Sequence, residues 1–309
     1  MPTLIDFRRR IRSVKNTQQI TRAMKFIAAA RLRKAQEGVI AARPYAREIL
    51  RVLRSAVARM EDPATHPLLE RRPEQRILVV LLSGDRGLAG PFNANVIRYG
   101  LSFLREHSSL DIKVMAIGRK GRDVLRKRNY QFAGEYLNVS LSVEFKHAKE
   151  IGARIIELYS AQEVDAVYVI YNEFKSVLVQ RLVAEKLLPI DPAVLGQPDP
   201  DHPEAGQPHG DQAEAQKNPP ALVDYIYEQP PQELFKALVL RYVDTEIFRI
   251  LLESSAAEHG ARMAAMDSAT NNAADLIDEL TLEMNKIRQA GITRELIEIV
   301  SGAASAVGK

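Results

Sequence analysis

The sequence predicts a mixed α/β chain: a long helix at each end, the two wound as an antiparallel coiled coil, with an α/β domain inserted between them. Three observations predict it. Apolar residues recur at three- and four-residue steps near the C-terminus with no proline after Pro231, a second such stripe runs through the first sixty residues, and short apolar runs alternate with helix-like stretches in between.

In the C-terminal segment, Ala273, Leu276, Ile277, Leu280, Met284, Ile287, Leu296 and Val300 fall on one helical stripe. The run from Met263 to Ala274 is rich in small residues, which let another helix approach closely. A helix of roughly 65 residues extends about 100 Å and calls for a partner. The N-terminal segment supplies one, because Leu32, Ala35, Val39, Ala42, Ala46, Ile49, Leu53, Val57 and Met60 follow a near-heptad spacing. Its charge is strongly basic, from Arg8, Arg9 and Arg10 to Arg59, whereas the C-terminal segment leans acidic through residues such as Asp244, Glu253, Asp267, Asp278 and Glu298. Opposite fields favour side-by-side helices, although each exposed pair contributes only about 0.3–0.5 kcal/mol. Pro44 removes one backbone donor and is expected to kink the first helix.

Between the helices, residues 61–75 read as a polar, proline-punctuated linker. The unbroken run Ile77-Leu78-Val79-Val80-Leu81-Leu82 has the pattern of a strand buried on both faces. It leads into Ser83-Gly84-Asp85-Arg86-Gly87-Leu88-Ala89-Gly90-Pro91, and a helix opens at Phe92. This strand, glycine turn and helix is the arrangement of a phosphate cradle, but its G-x-x-G-x-x-G spacing matches neither the dinucleotide fingerprint nor the Walker A pattern, so a structural turn is the preferred reading. Further strands are expected at 111–117, 165–171 and 176–182, with helices at 120–128 and 148–162. Strands alternating with helices specify a Rossmann-like domain with a mainly parallel sheet. The expected organisation is 1–60 N-terminal coiled-coil helix, 61–75 linker, 76–188 α/β domain, 189–220 flexible insertion rich in Pro, Gly, Asp and His, and 221–309 C-terminal coiled-coil helix.

Composition narrows the function. The 309 residues are 46% apolar and 27% charged with a net charge of +4, ordinary for a soluble globular chain. With no Cys there is no disulfide, thiol catalysis or Cys-ligated zinc. No run of about 18 apolar residues suits a membrane span, and the Arg-rich N-terminus fits the helical register better than a targeting peptide. None of the six His has metal-ligand spacing with a carboxylate, and no hydrolase, kinase or Walker motif occurs. The reading is therefore no catalytic residue, no metal and no cofactor. A basic coiled-coil protein binding nucleic acid is the alternative, weakened by the scarcity of interleaved aromatics; a nucleotide-dependent enzyme built on Gly87 and Gly90 is a third reading.

Several segments resemble one family. Asn16-Thr17-Gln18-Gln19-Ile20-Thr21-Arg22-Ala23-Met24-Lys25, Ala30 to Gln36 and Arg43-Pro44-Tyr45 are similar to the N-terminal helix of the gamma subunit of F-type ATP synthase, bacterial type. Ser83 to Gly90 resembles the turn after the first strand of that family's central domain. Glu258-His259-Gly260-Ala261-Arg262-Met263, Ala269 to Asn272, and Asn285 to Ala303 resemble its C-terminal signature; only 189–220 has no counterpart.

The resemblance implies a central rotor shaft that threads a ring of alpha and beta subunits, holds the epsilon subunit and stands on the membrane rotor ring (c-ring). It couples proton-driven rotation to ATP synthesis in beta, and it lies peripherally at the cytoplasmic face of the bacterial inner membrane. It implies no nucleic acid and no small-molecule substrate. By position, Arg288 and Gln289 match the family's contacts to the catalytic subunits, with Thr293 and Glu295 in the same patch. Met24 sits where the N-terminal helix meets the acidic lever of beta, and Lys25 follows it where some relatives carry an acidic residue. Tyr225, Tyr227 and Glu228 match the residues that rest on the rotor ring. The apolar end from Ile297 to Val307 would serve as a bearing tip.

Overall fold

A computed structural model describes residues 3–57, 67–177, 179–190 and 231–307. Helix α1 covers Leu4–Val57 and is followed by β1 (Arg76–Leu82), α2 (Phe92–Glu106), β2 (Asp111–Ile117), α3 (Arg119–Lys127), β3 (Gln131–Tyr136), α4 (Phe145–Ser160), β4 (Ala166–Phe174), β5 (Gln180–Leu188) and α5 (Pro231–Val307). By internal contacts the chain divides into two compact units. One comprises Met1–Arg31, Leu88–Gly90 and His259–Lys309; the other comprises Leu32–Gly87 and Pro91–Glu258.

The larger unit is organised on a five-stranded sheet of order β3-β2-β1-β4-β5. The first four strands are parallel and β5 runs antiparallel to β4. The unbroken apolar run of β1 follows from its central place, since both its faces are covered. Leu78, Val80 and Leu82 point into a core completed by Ile151 and Ile155 of α4 and by Val239, Val243 and Ile247 of α5. Ile77, Val79 and Leu81 point the other way, toward Val96 and Leu104 of α2 and Leu125 of α3. Each such side chain contributes roughly 1.5–3 kcal/mol on burial. Asp165 ties the entrance of β4 to that of β1: its buried carboxylate accepts from Arg76 Nη2 at 2.7 Å, Arg76 Nε at 3.2 Å and the Arg76 amide at 2.9 Å. The Arg76 hydrogen bonds hold the Asp165 carboxyl below the usual carboxylate range.

Within this unit the end of α1 and the start of α5 pack antiparallel. Leu32, Ala35, Ile49 and Leu53 are buried, as the near-heptad spacing predicts, while Val39, Ala42 and Ala46 are half-buried. Gly38 allows Leu252 close, for a Cβ there would meet its Cδ2 at 3.2 Å, and Arg241 Nη1 donates to the Tyr45 hydroxyl at 3.2 Å. Pro44 lies inside α1, which continues to Val57.

The smaller unit has its own antiparallel pair. Thr3 and Asp6 begin α1 with a reciprocal cap: the Asp6 amide donates to Thr3 Oγ1 at 3.3 Å and the Thr3 amide to Asp6 Oδ2 at 3.0 Å. Lys25 Nζ pairs with Asp267 Oδ1 at 2.6 Å, and Thr270 Oγ1 donates to Thr21 Oγ1 at 2.8 Å. Ala28, Met266, Ala273 and Leu280 are buried. The predicted C-terminal stripe is covered only in part, because Leu276 and Ile287 are exposed and Leu296 and Val300 more so. No described partner continues alongside that end of α5.

Two differences from the sequence expectation have local causes. Strand β3 was not anticipated; it is short, carries Gly134 and has no clean alternation. The last strand starts at Gln180 rather than at 176, because Ser176 and Val179 close a turn in which the Ser176 amide donates to Val179 O and the Val179 amide to Ser176 Oγ, each at 3.0 Å.

Gly118, between β2 and α3, has φ +93°, and a Cβ there would lie 1.9 Å from the Ser83 carbonyl oxygen. Around Gly87 nothing lies within 4 Å of such a Cβ. Gly118→Ala is therefore expected to cost at least ~3 kcal/mol by denaturant unfolding, and Gly87→Ala to stay within about 0.5 kcal/mol of the parent.

Candidate functional site

The glycine turn after β1 lies at the carboxyl ends of the strands, where an open parallel sheet binds nucleotides. Its own groups already fill it. The Gly84 amide donates to Asn93 Oδ1 at 2.8 Å, and Asp85, buried, accepts from the Arg119 amide at 3.1 Å and from Ser140 Oγ at 3.3 Å. The Gly121 amide at the start of α3 donates to Ser83 Oγ at 2.8 Å. A Cβ on Gly84 would meet the Glu258 carboxyl at 3.0 Å, so α5 brings a negative group to the place a phosphate would need. The turn joins β1, α2, α3 and α5, and these contacts favour the structural reading of the glycine turn.

A charged cluster lies where β4 and β5 face α5. Arg249 reaches Glu246 at 2.8 Å, Glu185 at 3.0 Å and Glu253 at 3.1 Å, with the Tyr171 hydroxyl at 3.4 Å. Burial works against its charge, yet these acidic neighbours hold its pKa above the ordinary arginine value. No group of His, Asp or Glu among the described residues is arranged to hold a metal ion.

What remains is surface. Arg288, Gln289, Thr293 and Glu295 are all exposed on α5, and Thr293 Oγ1 donates to Gln289 O at 3.0 Å. Arg288 and Glu295, seven residues apart, share one edge of the helix. Beside them Ile292, Leu296, Ile297, Ile299 and Val300 are 51–67% exposed and spread over about half the helix circumference. A helix end with this much uncovered apolar area is built to be covered by something else.

Met24 lies half-buried on α1 in the same unit, one residue before Lys25 with its Asp267 partner. A groove of about 470 Å³ is lined there by Gln18, Gln19, Arg22, Lys25, Phe26, Asp267, Thr270 and Asn271. Sequence reasoning singled out Met24 but missed Phe26, 62% exposed, and the exposed pair Ile20 and Ile27. Their seven-residue spacing was legible; that they face away from the seam was not. Pro189 and Ile190, expected to open the flexible insertion, are instead buried after β5, the Ile190 amide donating to Leu68 O at 3.0 Å; Tyr225, Tyr227, Glu228 and 191–220 of the insertion lie outside the described residues.

The segments carrying these features belong together in other proteins. A family model described as ATP synthase matches residues 3–306. The ATP synthase gamma chain of Solibacter usitatus is 51% identical over 309 residues, covering 99% of this chain and 100% of that one. The chain belongs to the ATP synthase gamma-chain family. A second member, from Pelotomaculum thermopropionicum, is 45% identical with 99% of each chain covered. Among solved structures, a chain of the Euglena gracilis mitochondrial ATP synthase, in an assembly of OSCP, F1 and c-ring, matches with TM-score 0.63 at 18% identity, covering 98% of this chain and 94% of that one. A chain of the Tetrahymena thermophila mitochondrial ATP synthase central stalk and c-ring matches with TM-score 0.56 at 21% identity, covering 81% and 99%. At those identities the structural likeness speaks for the fold, and it is the fold of a central stalk. Nothing in these likenesses supports the nucleic-acid reading.

His259 on α5 is 4% exposed, with Arg262 Nη1 at 3.2 Å from its Nδ1. Burial, then the Arg262 and Arg31 charges, push its pKa down to about 4 from 6.5. The unfolded chain thus binds a proton that the folded chain refuses, and stability falls as pH drops from about 6.5 toward 4. At about 1.4 kcal/mol per pH unit the loss is roughly 3 kcal/mol. His259→Gln should remove that share of the acid sensitivity in denaturant unfolding run at stepped pH.

Proposed function

We propose that the chain is the central rotor shaft of an F-type ATP synthase, a non-catalytic subunit coupling rotation of a membrane ion-driven ring to ATP synthesis on beta subunits. The observation that carries this reading is the identity of 51% with a gamma chain over the full length of both proteins. The geometry agrees with it. The uncovered apolar area lies at the end of α5 and along α1.

In this reading Arg288, Gln289, Thr293 and Glu295 contact the alpha and beta ring, and Met24 with its neighbours in the α1 groove meets an acidic segment of beta. Arg22 and Lys25 give that groove the cationic lining such a partner needs. The exposed isoleucines and leucine near the end of α5 offer a smooth contact with little hydrogen-bond directionality, which suits a surface that must slide. Tyr225, Tyr227 and Glu228 are assigned to the rotor ring, and the α/β domain to the epsilon subunit. In this reading the chain sits peripherally at the cytoplasmic face of the bacterial inner membrane; no helix among the described residues is long and apolar enough to cross one.

A shaft inside a threefold ring presents a different face to each of three chemically identical partners. Its mechanism is a coupling free energy: the face it turns toward one beta subunit sets which conformation of that subunit is favoured. Charged side chains on one edge of α5 and apolar ones beside them make the faces unlike.

Replacing Arg288 and Gln289 together by Leu removes the polar edge while keeping the helix. In vesicles carrying the whole synthase, gradient-driven ATP synthesis should fall by about tenfold, as loss of about 1.4 kcal/mol of coupling requires, with assembly unchanged on gradient sedimentation. Undiminished synthesis would refute the assignment of these residues.

A further inference from the structure

The charged cluster around Arg249 does not balance. Within the larger unit, Glu246, Glu185 and Glu253 all draw on this one guanidinium. Glu173 sits close by, and its own cations are Lys175 and Arg181, each at 2.7 Å. Glu253 has the poorest share. One of its oxygens accepts from Arg249 Nη1 at 3.1 Å; the other, Oε2, is buried and no donor among the described residues reaches it. That oxygen belongs to a side chain lining a cavity of about 240 Å³ between α1 and α5. Val39, Ala42, Ala46 and Leu50 of α1 form its apolar wall, and Arg47, Glu173, Glu246 and Arg249 are the other charged groups on it.

A buried carboxylate oxygen without a donor is costly, whereas a protonated one carries its own hydrogen and needs only an acceptor. We propose that Glu253 is a protonation switch in the α1–α5 seam: as the acid it leaves Arg249 to Glu185 and Glu246 and keeps the seam closed, and as the carboxylate it opens the seam at the Val39–Leu50 wall. Every group that faces it bears on this balance. Arg249 on its own helix favours the charged form, whereas Glu246 competes for the same guanidinium. From the sheet, Glu173 and Glu185 oppose the charge, and the Tyr171 hydroxyl spends its hydrogen bond on Glu185 at 2.8 Å. From α1, Arg47 lines the same cavity. Burial, the largest influence, raises the Glu253 pKa above the ordinary glutamate value, with Arg249 acting against it and Glu173 and Glu185 adding to it.

The sign of the linkage follows. The folded chain holds a proton that the unfolded chain releases, so this group stabilises the fold at low pH and its contribution is lost as pH rises through the folded-state pKa. Infrared titration of the full-length chain, as the difference between the parent and Glu253→Gln, should show a protonated-carboxyl band persisting above the pH range of ordinary glutamates. Amide hydrogen exchange across residues 39–50 and 245–253, corrected for intrinsic rate, should quicken above that midpoint in the parent and stay flat in Glu253→Gln, which mimics the acid. Glu246→Gln gives Arg249 back to Glu253 and should move the midpoint down. A Glu253 band that titrates in the ordinary range, or an exchange profile in Glu253→Gln that follows the parent's, would overturn the switch.

Discussion

The seam between two helices from opposite ends of the chain is the constraint on which the other features rest. In each unit it is made of small and aliphatic side chains: Ala28 with Met266 and Ala273 in one, Leu32, Ala35 and Gly38 with Leu252 in the other. Close approach of two backbones buries apolar area along a line and leaves the opposite faces of both helices to solvent or to other molecules. The opposed charges legible in the sequence are secondary to this. The Lys25–Asp267 pair crosses the seam at 2.6 Å but is more than a third exposed on both sides, where an ion pair adds at most about 1 kcal/mol.

The sheet is subordinate to the same helices in a specific way. One face of β1 is closed by α2 and α3, elements of the inserted domain itself, but the other is closed partly by α5 through Val239, Val243 and Ile247. The core of the α/β domain is thus incomplete without residues supplied from the C-terminal helix. The glycine turn after β1 repeats the pattern, since the Glu258 carboxyl reaches Gly84 from α5. Domain and helix form one cooperative body there, as a part that transmits force must.

Much of this was legible in the sequence because period and length carry the information. The apolar run of β1 and the near-heptad of α1 specified a buried strand and a packed helix face, and the turn's glycine spacing already disfavoured a nucleotide. What the sequence concealed depends on neighbours. Leu296 and Val300 continue the stripe of Leu280 yet stand exposed, since periodicity defines a face and says nothing of what covers it. Strand β3 is weak by itself and forms because β2 offers it an edge. The contacts proposed for Met24, Arg288, Gln289, Thr293 and Glu295 come from likeness to a family; helix surface positions carry no pattern that would mark them for such a role. The Arg249 cluster had a local signal in Glu246, Arg249 and Glu253 at three- and four-residue steps, but Glu185 and Tyr171 join it only through the fold.

The order in which the chain is made sets a further condition on the seam. Val57 ends α1 and Pro231 begins α5, so 173 positions must be added after the first helix is complete before the second starts. At ribosomal speeds of about 5–20 residues per second the delay is roughly 9–35 s. Throughout it, Leu32, Ala35 and Leu53 have no partner to cover them. The abundant arginines of α1 then act as a solubility device for a nascent helix, keeping like segments apart by repulsion until the second half emerges.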